Sequence, residues 1–297
     1  MLSGIHILLT YACTGECDHC FLYCGPSAKG TFTLAQMQKL FAQIRRVKGI
    51  EWVYLEGGEP FLFYPLMLEG LRLAKEQGLK TGVVSNAYWA TSGKDAELWL
   101  KPLRDLGVVD LSLSDDEFHH DGKDNPARCA RRAARKLRLP VDSICIEKPA
   151  LTMKAGQKKG EPVIGGGVMF RGRAAEKLTA GLPTRPIGEL TSCPHEDLEN
   201  PSRVHVDPYG NVHLCQGLLM GNVWETPLSK LLSNYKPHRH PICGPLIEGG
   251  PLRLAQIHRV NLADQYINEC HYCYSVRQAL LDRYPQFLKP RQVYGLT

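Results

Sequence analysis

The chain has 297 residues, and its 36 Lys and Arg against 30 Asp and Glu give a formal net charge of +6. With 43% hydrophobic and 22% charged residues, the composition is that of a soluble globular protein long enough to bury a large core. Apolar runs such as Ile7–Leu9 are far too short to cross a bilayer, and Met1–His6 lacks the features of a secretion signal, so we expect a cytoplasmic protein with no membrane partner. The basic segment Arg128–Arg138 has no interleaved aromatic residues, which favours a solvated helix face over a nucleic-acid site.

Short apolar segments alternate with amphipathic segments over the first two-thirds of the chain. The predicted strands are Gly4–Thr10, Trp52–Leu55, Lys80–Ser85, Val108–Leu113, Ser143–Ile146 and Val168–Phe170. The predicted helices are Leu34–Val47, Pro65–Gln77, Ala96–Leu106 and Ala127–Arg138. Thr33 and Gln36 have the spacing of a capping box at the start of the first helix. This alternation predicts an α/β fold in which right-handed crossovers join parallel strands into an open sheet or a full or partial barrel.

The pattern changes halfway along the chain. Residues Lys154–Gly167 are rich in Gly and Lys, which predicts a loop. Prolines concentrate over residues 179–201, so we place a domain boundary near Gly181, giving domains 1–180 and 181–297. The elements predicted in the second domain are the hairpin strands Arg203–Val206 and Val212–Cys215 and the helices Leu228–Asn234 and Asn261–Asp282.

Three of the eleven cysteines, Cys13, Cys17 and Cys20, lie close together directly after the first predicted strand. Clustered thiols in a chain with no export signal are better explained as metal ligands than as disulfides. Structural zinc sites and ferredoxin clusters normally take four protein ligands, so three thiolates on one loop leave a metal coordination position open for chemistry. A structural zinc knuckle, with His19 or Cys24 as the fourth ligand, is the alternative.

Polar residues follow three other predicted strands, at the ends where ligands bind in parallel α/β folds. They are Gly57, Gly58, Glu59 and Pro60 after the second strand, Ser85 and Asn86 after the third, and Ser114 after the fourth. Paired glycines let the backbone approach a ligand closely, and Glu59 can accept a hydrogen bond from an ammonium group. Turn capping accounts for the Ser and Asn residues equally well.

Two further groups are charged. Asp116 and His119 lie in the acidic segment Asp115–Asp121 and are candidate proton acceptors at the mouth of a site. Arg171 and Arg173 follow the sixth predicted strand, and a guanidinium can hold a carboxylate through paired hydrogen bonds. A surface salt bridge explains these arginines nearly as well.

A second set of cysteines lies in the last third of the chain: Cys193, Cys215, Cys270 and Cys273. Four thiolates from three places can enclose a metal centre completely and stabilise a domain too small for a strong core of its own. Two alternatives stay open, a four-cysteine zinc ribbon and replacement of Cys193 by Cys243.

The spacing of Cys13, Cys17 and Cys20, followed by Phe21, resembles the signature of the radical S-adenosylmethionine (SAM) superfamily. The segments Gly57–Pro60 and Arg171–Ala174 resemble segments of the same family. The resemblance implies a partial (β/α)6 TIM-like barrel in which the three cysteines hold a [4Fe–4S] cluster whose fourth iron binds SAM. It assigns the SAM amino group to the first segment, the SAM carboxylate to one of the two arginines, and the ribose and substrate rim to the Ser and Asn residues, above all Ser114.

The second cysteine set resembles the twitch module, a half-size relative of the SPASM domain, which implies an auxiliary [4Fe–4S] cluster in a small α+β domain. Enzymes of this family receive an electron from flavodoxin or ferredoxin and cleave SAM reductively to a 5′-deoxyadenosyl radical. That radical abstracts hydrogen from a substrate, here a peptide or small molecule that is oxidised or otherwise modified. The alternative class is a non-catalytic zinc or iron–sulfur electron-transfer protein.

Overall fold

The computed structural model describes residues 2–120, 125–152 and 163–296, and these fold around a sheet of eight strands. The first half of the chain alternates strands with helices that cover the sheet. Its strands are β1 (Gly4–Thr10), β2 (Trp52–Gly57), β3 (Lys80–Ser85), β4 (Asp110–Ser114) and β5 (Val141–Ile144), and its helices are α1 (Leu34–Ile44), α2 (Tyr64–Glu76), α3 (Gly93–Leu106) and α4 (Pro126–Lys136). Neighbouring strands in this series pair in parallel. The predicted α/β class is confirmed, and the mostly parallel sheet is consistent with a partial TIM-like barrel.

The second half of the chain contributes shorter elements. Its strands are β6 (Leu151–Thr152), β7 (Val163–Ile164), β8 (Arg185–Pro186), β9 (Arg203–Val206), β10 (Asn211–Cys215), β11 (Leu218–Asn222) and β12 (Gln265–Tyr266), and its helices are α5 (Arg173–Lys177), α6 (Leu228–Asn234), α7 (Cys243–His258) and α8 (Glu269–Ala279). No helix among the described residues is long and apolar enough to span a membrane.

The predicted hairpin forms as β9 and β10, and it joins the main sheet. The strand order is β11-β10-β9-β1-β2-β3-β4-β5, and β9 runs parallel to β1, with Gly4 opposite Arg203 and Ile7 opposite Val206. Hydrogen bonding in the sheet is thus continuous across the boundary near Gly181, which itself stays a prediction. Position along the chain does not reveal this pairing, because about 199 residues separate the paired strands.

The prediction of a strand at Val168–Phe170 was wrong, since this segment is irregular. It follows Gly165, Gly166 and Gly167, the last two at positive φ, and glycines with no side chains to pack weaken a strand. Phe170 is buried all the same, so its apolar character reflects packing. Residues 154–162 of the predicted loop lie outside the described residues.

The ends of the helices follow local sequence signals more closely than the strands do. The capping box at the start of α1 is present, with the Thr33 hydroxyl accepting from the amide of Gln36 at 3.2 Å. The last predicted helix is shorter than expected, because Asn268 caps α8 and so fixes where it begins.

A buried carboxylate ties β1 to the hairpin. Asp207, between β9 and β10, is fully buried and accepts a hydrogen bond of 3.0 Å from the hydroxyl of Tyr11, just beyond β1. The amide and side chain of Asn211 each donate to it at 2.9 Å, and Nε2 of buried His213 lies 3.1 Å away. Because these groups have no access to solvent, each depends on Asp207 to be satisfied.

Replacing Asp207 with Ala would leave several buried donors without an acceptor. Each such group costs about 1–3 kcal/mol, so we expect Asp207→Ala to lower the free energy of unfolding by roughly 3 kcal/mol or more, measured by urea unfolding. The matched control is Asp282→Ala, which removes an ion pair to Arg291 whose side chains are 88% and 52% exposed and should change stability by less than about 1 kcal/mol. Equal losses in the two variants would contradict the role given to Asp207.

Candidate active site

A cavity of about 310 Å3 opens at the carboxyl ends of the parallel strands. Its wall brings together predicted residues from five separate segments of the sequence. They are Cys13, Cys17, Cys20, Gly57, Gly58, Ser85, Asn86, Ser114 and His119. Strand ends in parallel α/β folds are where ligands bind, so this cavity is the candidate active site.

The thiols of the first cysteine set differ in pKa. Burial raises the pKa of Cys13 to about 11. Hydrogen bonding from Cys24 outweighs burial at Cys20 and lowers its pKa to about 6; the backbone amide of Cys24 lies 3.4 Å from the Cys20 sulfur. The loop therefore presents a thiolate at Cys20 near neutral pH, which is the form that binds metals.

Arg173 holds this loop in place. Its guanidinium donates to the carbonyls of Cys17 at 2.8 Å and Cys24 at 2.9 Å. The preceding residue, Gly172, is at φ +60, and a Cβ there would lie 2.4 Å from the Cα of Phe21. Close packing at Gly172 thus lets Arg173 reach the loop, and the arginine acts on the backbone of the cysteine loop.

Gly57 and Gly58 bring the end of β2 against the chain leaving β1. A Cβ on Gly57 would lie 2.4 Å from the carbonyl of Thr10, and one on Gly58 would lie 2.1 Å from the carbonyl of Ala12. The amide of Gly58 donates to Thr10 at 2.7 Å and that of Glu59 to Ala12 at 2.9 Å. Side chains at either glycine would push away the segment that leads into Cys13.

Glu59 does not line the cavity. Its fully buried carboxylate accepts from the amide of Phe61 at 3.0 Å, the hydroxyl of Ser85 at 2.9 Å and the amide of Asn86 at 2.7 Å. These contacts join the ends of β2 and β3 and engage the carboxylate with three donors of the protein; its contact with the SAM amino group stays a prediction. Burial raises the pKa of Glu59 to about 7 in spite of the three hydrogen bonds. Pro60 is buried beside it at the start of a short 3-10 turn.

The two predicted residues at the end of β3 differ in role. The Ser85 hydroxyl is engaged by Glu59 and by the indole of Trp89, 3.0 Å away. The Asn86 side chain donates to the Thr14 hydroxyl at 2.9 Å and lies 3.7 Å from the sulfur of Cys13. Asn86 therefore positions the first part of the cysteine loop.

His119 and Asp116 form a close pair at the cavity, with 2.7 Å between Nδ1 and Oδ1. Burial opposes charge on both groups, but their hydrogen bond and the nearby Cys17 sulfur outweigh it and raise the pKa of His119 to about 10. The same contact holds the pKa of Asp116 below its usual range. The raised pKa favours the protonated form of His119, and the assignment of a proton acceptor to Asp116 or His119 stays a prediction. Asp121, in the same predicted segment, lies outside the described residues.

A second pocket contains the other cysteine set together with two arginines. Cys193, Cys215, Cys270 and Cys273 line it with Arg171 and Arg277. Cys243 is buried and is not among the lining residues, which favours Cys193 as the fourth thiol. Arg171 donates to the sulfur of Cys215 at 2.8 Å and is not among the residues that line the first cavity; its contact with the SAM carboxylate stays a prediction.

Two residues of the first cavity, Glu56 and Met169, are not among the predicted site residues. The only sequence signal for Glu56 is its place directly before the paired glycines, and Met169 reaches the cavity from the irregular segment at residues 168–170. His19 and Cys24, which the sequence offers only as a fourth zinc ligand, line this cavity as well.

The fold and this site together define an α/β protein with a mostly parallel sheet and a three-thiol site at its strand ends. Residues 7–139, which make up somewhat less than half of the chain, match the family described as "Radical SAM superfamily".

Two kinds of relative are similar to this chain. YydG of Bacillus subtilis (strain 168), whose name provisionally assigns it to peptide biosynthesis, is 27% identical over 115 residues, which cover 39% of this chain and 36% of YydG. The chain thus matches only about a third of that relative's length. The crystal structure of BtrN in complex with AdoMet and 2-DOIA superposes with a TM-score of 0.53 at 17% identity, over 79% of this chain and 83% of BtrN, which shows the fold alone. Streptococcus suis SuiB bound to precursor peptide SuiA gives a TM-score of 0.43 at 11% identity, over 86% of this chain and 71% of SuiB, too low to support an inference.

Glu59 gives a prediction on pH. A carboxyl whose pKa is about 7 when folded and about 4.5 when unfolded binds more protons in the folded state between these values, so its contribution to stability falls as pH rises through 7. Gln at this position cannot titrate. The stability of the wild type relative to Glu59→Gln should therefore fall by about 1.4 kcal/mol between pH 6 and pH 8, measured by urea unfolding.

The control for this measurement is Glu225→Gln, at an exposed position. Its stability relative to the wild type should stay the same across this range. A constant difference for Glu59→Gln would show that Glu59 is ionised throughout.

Proposed function

We propose that this chain is a radical SAM enzyme that modifies a peptide. The observation that carries the proposal is the cavity lined by three thiols of one loop, at the strand ends of a segment that matches the radical SAM superfamily. The name of YydG, which refers to peptide biosynthesis, supports a peptide over a small molecule as substrate.

The residues of the first cavity fit an iron–sulfur cluster with one open position. Cys13, Cys17 and Cys20 would hold it, and each side chain faces the cavity. With SAM bound, such a cluster would supply the electron that cleaves SAM reductively to a 5′-deoxyadenosyl radical. Two protein features prepare the thiols for this: Arg173 fixes the loop backbone, and Cys24 favours the thiolate at Cys20.

The chain's own residues would orient the ligands and exclude water. The backbone at Gly57 and Gly58 and the side chains of Asn86 and Ser114 offer polar contacts at the cavity wall for SAM. Apolar side chains complete the wall and keep stray hydrogen donors away from a reactive radical. They are Leu8, Leu22, Val84, Ile144, Ile146 and Met169.

The His119–Asp116 pair lies where it can serve a substrate. His119 lines the cavity, and Asp116 holds it through Nδ1, which leaves Nε2 as the group able to give up a proton. We propose that His119 donates a hydrogen bond or a proton to substrate and that Asp116 orients it.

The second pocket fits an auxiliary cluster on grounds of charge. Arg277 is 2% exposed, and among the described residues no carboxylate lies within 4.0 Å of its guanidinium. Burial raises the pKa of Cys270 to about 12 and of Cys273 to about 11, so without a metal these two thiols would be neutral. Arg171 has a carboxylate oxygen of Glu196 3.7 Å away, so Arg277 is the arginine that would be poorly compensated. A cluster with four thiolate ligands carries about two negative charges, which would compensate Arg277. A zinc ion with four thiolates has the same charge, so a measurement of bound iron and zinc distinguishes the two kinds of metal centre.

The electron for the first cluster has to come from outside the chain. We propose a flavodoxin or ferredoxin as its donor, in line with the match to the radical SAM superfamily. A cluster held in the second pocket would supply an acceptor for one electron from the substrate, which together with the loss of a hydrogen atom would make the net reaction a two-electron oxidation.

Cysteine variants separate the two clusters. Anaerobically reconstituted wild type should contain roughly eight irons per chain and form 5′-deoxyadenosine from SAM after reduction. Cys17→Ala should keep roughly four irons and form none, because the SAM-cleaving cluster is lost. Cys215→Ala should also keep roughly four irons yet still form 5′-deoxyadenosine, since only the auxiliary cluster is lost. Iron analysis and mass spectrometry supply both readouts.

The control for these variants is Cys145→Ala, which removes an exposed thiol outside both pockets and should behave as wild type. Bound zinc, with no iron and no SAM cleavage, would replace the proposal with a structural zinc protein. Iron without SAM cleavage would indicate an electron-transfer protein.

The peptide proposal has its own readout. The reduced enzyme should transfer deuterium into 5′-deoxyadenosine when incubated with deuterated peptides, because hydrogen abstraction moves a substrate atom to the cofactor fragment. The same incubation with deuterated amino acids and sugars is the control. Deuterium arriving only from a small molecule would overturn the peptide assignment while leaving radical SAM chemistry intact.

A further inference from the structure

Below the candidate active site, the sheet carries a second layer of side chains. Residues on one face of a strand alternate, and Leu8 on β1 and Glu56 on β2 line the cavity from this face. His6 lies two residues before Leu8 on the same face, and the register places it opposite His205 on β9. Three adjacent strands therefore bring His6, Glu56 and His205 together at the floor of the cavity.

The three side chains converge on one point. Nδ1 of His6 lies 3.3 Å from one oxygen of Glu56, and Nε2 of His205 lies 3.2 Å from the other. One ligand atom from each residue lies within 4.8 Å of the other two. In a tetrahedral site with bonds of about 2.1 Å, ligand atoms are about 3.4 Å apart, so these separations suit a bound ion.

Burial and missing partners set this cluster apart from an ordinary ion pair. His205 is 7% exposed, and the side chain of Glu56 is 18% exposed. Nδ1 of His6 is buried and has no hydrogen-bond partner within the described part of the chain, although it faces the carboxylate. Its contact with Glu56 at 3.3 Å lacks hydrogen-bond geometry, and a metal ion between the two groups would give this nitrogen a partner.

The surroundings hold the cluster rigidly. The ring of Tyr54 stacks on His6 at 4.6 Å, and its hydroxyl donates to Asp110 at 2.8 Å. Gly82 leaves room for that ring, since a Cβ there would lie 2.1 Å from it. A binding site gains affinity when its ligands are fixed before the ion arrives.

The types of ligand also suit a metal, because two imidazole nitrogens and one carboxylate meet at one place. Among the described residues, Glu56 forms ion pairs only with these two histidines.

We propose that His6, Glu56 and His205 bind one divalent transition-metal ion, with Zn2+ the best match. Two imidazoles and one carboxylate are a known zinc ligand set, and three protein ligands leave positions for water or for an oxygen of a bound molecule. Because Glu56 also lines the candidate active site, the ion would lie at the floor of that cavity.

Co2+ is the probe for this site, because it replaces Zn2+ and is paramagnetic. Oxidised [4Fe–4S] clusters are diamagnetic, so Co2+ can be read by electron paramagnetic resonance in the anaerobic, cluster-loaded protein. We expect one Co2+ per chain, displaced by one equivalent of Zn2+, with nitrogen couplings from two imidazoles. Glu56→Gln and His6→Ala should each weaken binding by at least about 10-fold.

The matched control is His238→Ala, which removes an exposed histidine 2.9 Å from Glu199 and should bind Co2+ as the wild type does. Unchanged iron content in Glu56→Gln would show that the variant is folded. Absence of tight Co2+ binding in the wild type would overturn the proposal and leave a His–Glu–His contact without a metal. Binding that survives in Glu56→Gln would overturn it equally. None of these readouts depends on SAM cleavage, so the site can fail or stand independently of the proposed enzyme activity.

Discussion

The candidate active site depends on how closely the end of β2 approaches the chain leaving β1. Gly57 and Gly58 permit contacts that any side chain would prevent, and two backbone hydrogen bonds fix the residues just before Cys13. Glu59 then links this point to the end of β3 through Ser85 and Asn86. The position of the first thiol is therefore set by backbone contacts among three strand ends, and the rest of the cysteine loop is held from the other side by Arg173.

The second thiol set is organised by charge. Two almost fully buried arginines lie beside these thiols; Arg171 has Glu196 3.7 Å away, whereas Arg277 has no carboxylate within 4.0 Å among the described residues. Arg171 also contacts the ring of Phe21, which directly follows the first thiol loop, at 5.1 Å. One residue thus touches both the Cys215 sulfur and the neighbourhood of Cys20, so the two pockets are structurally coupled.

Much of the fold was predictable because strands and helices obey local patterns. The bounds of β1, β3 and α6 coincide with the predicted ones, since apolar alternation and turn residues define them. Nine of the residues predicted for the candidate site line one cavity because parallel strands end at one edge of the sheet. Pairing between distant strands was not predictable, and neither was the role of Glu59, because donors from two strand ends decide where its carboxylate goes. The cluster of His6, Glu56 and His205 was invisible for the same reason: its members meet only through the register of β9 against β1.

Continuity of the sheet bears on how this protein can diversify. The strand β9 pairs in register with β1. Replacing the half of the chain that carries the second thiol set would therefore remove β9 and expose β1 as a new edge of the sheet. Mutations in β1 reach both halves at once, since this strand leads into Cys13 and also supports β9 along its flank. New specificities would then arise in the loops at the strand ends, where sequence can drift while the sheet stays intact.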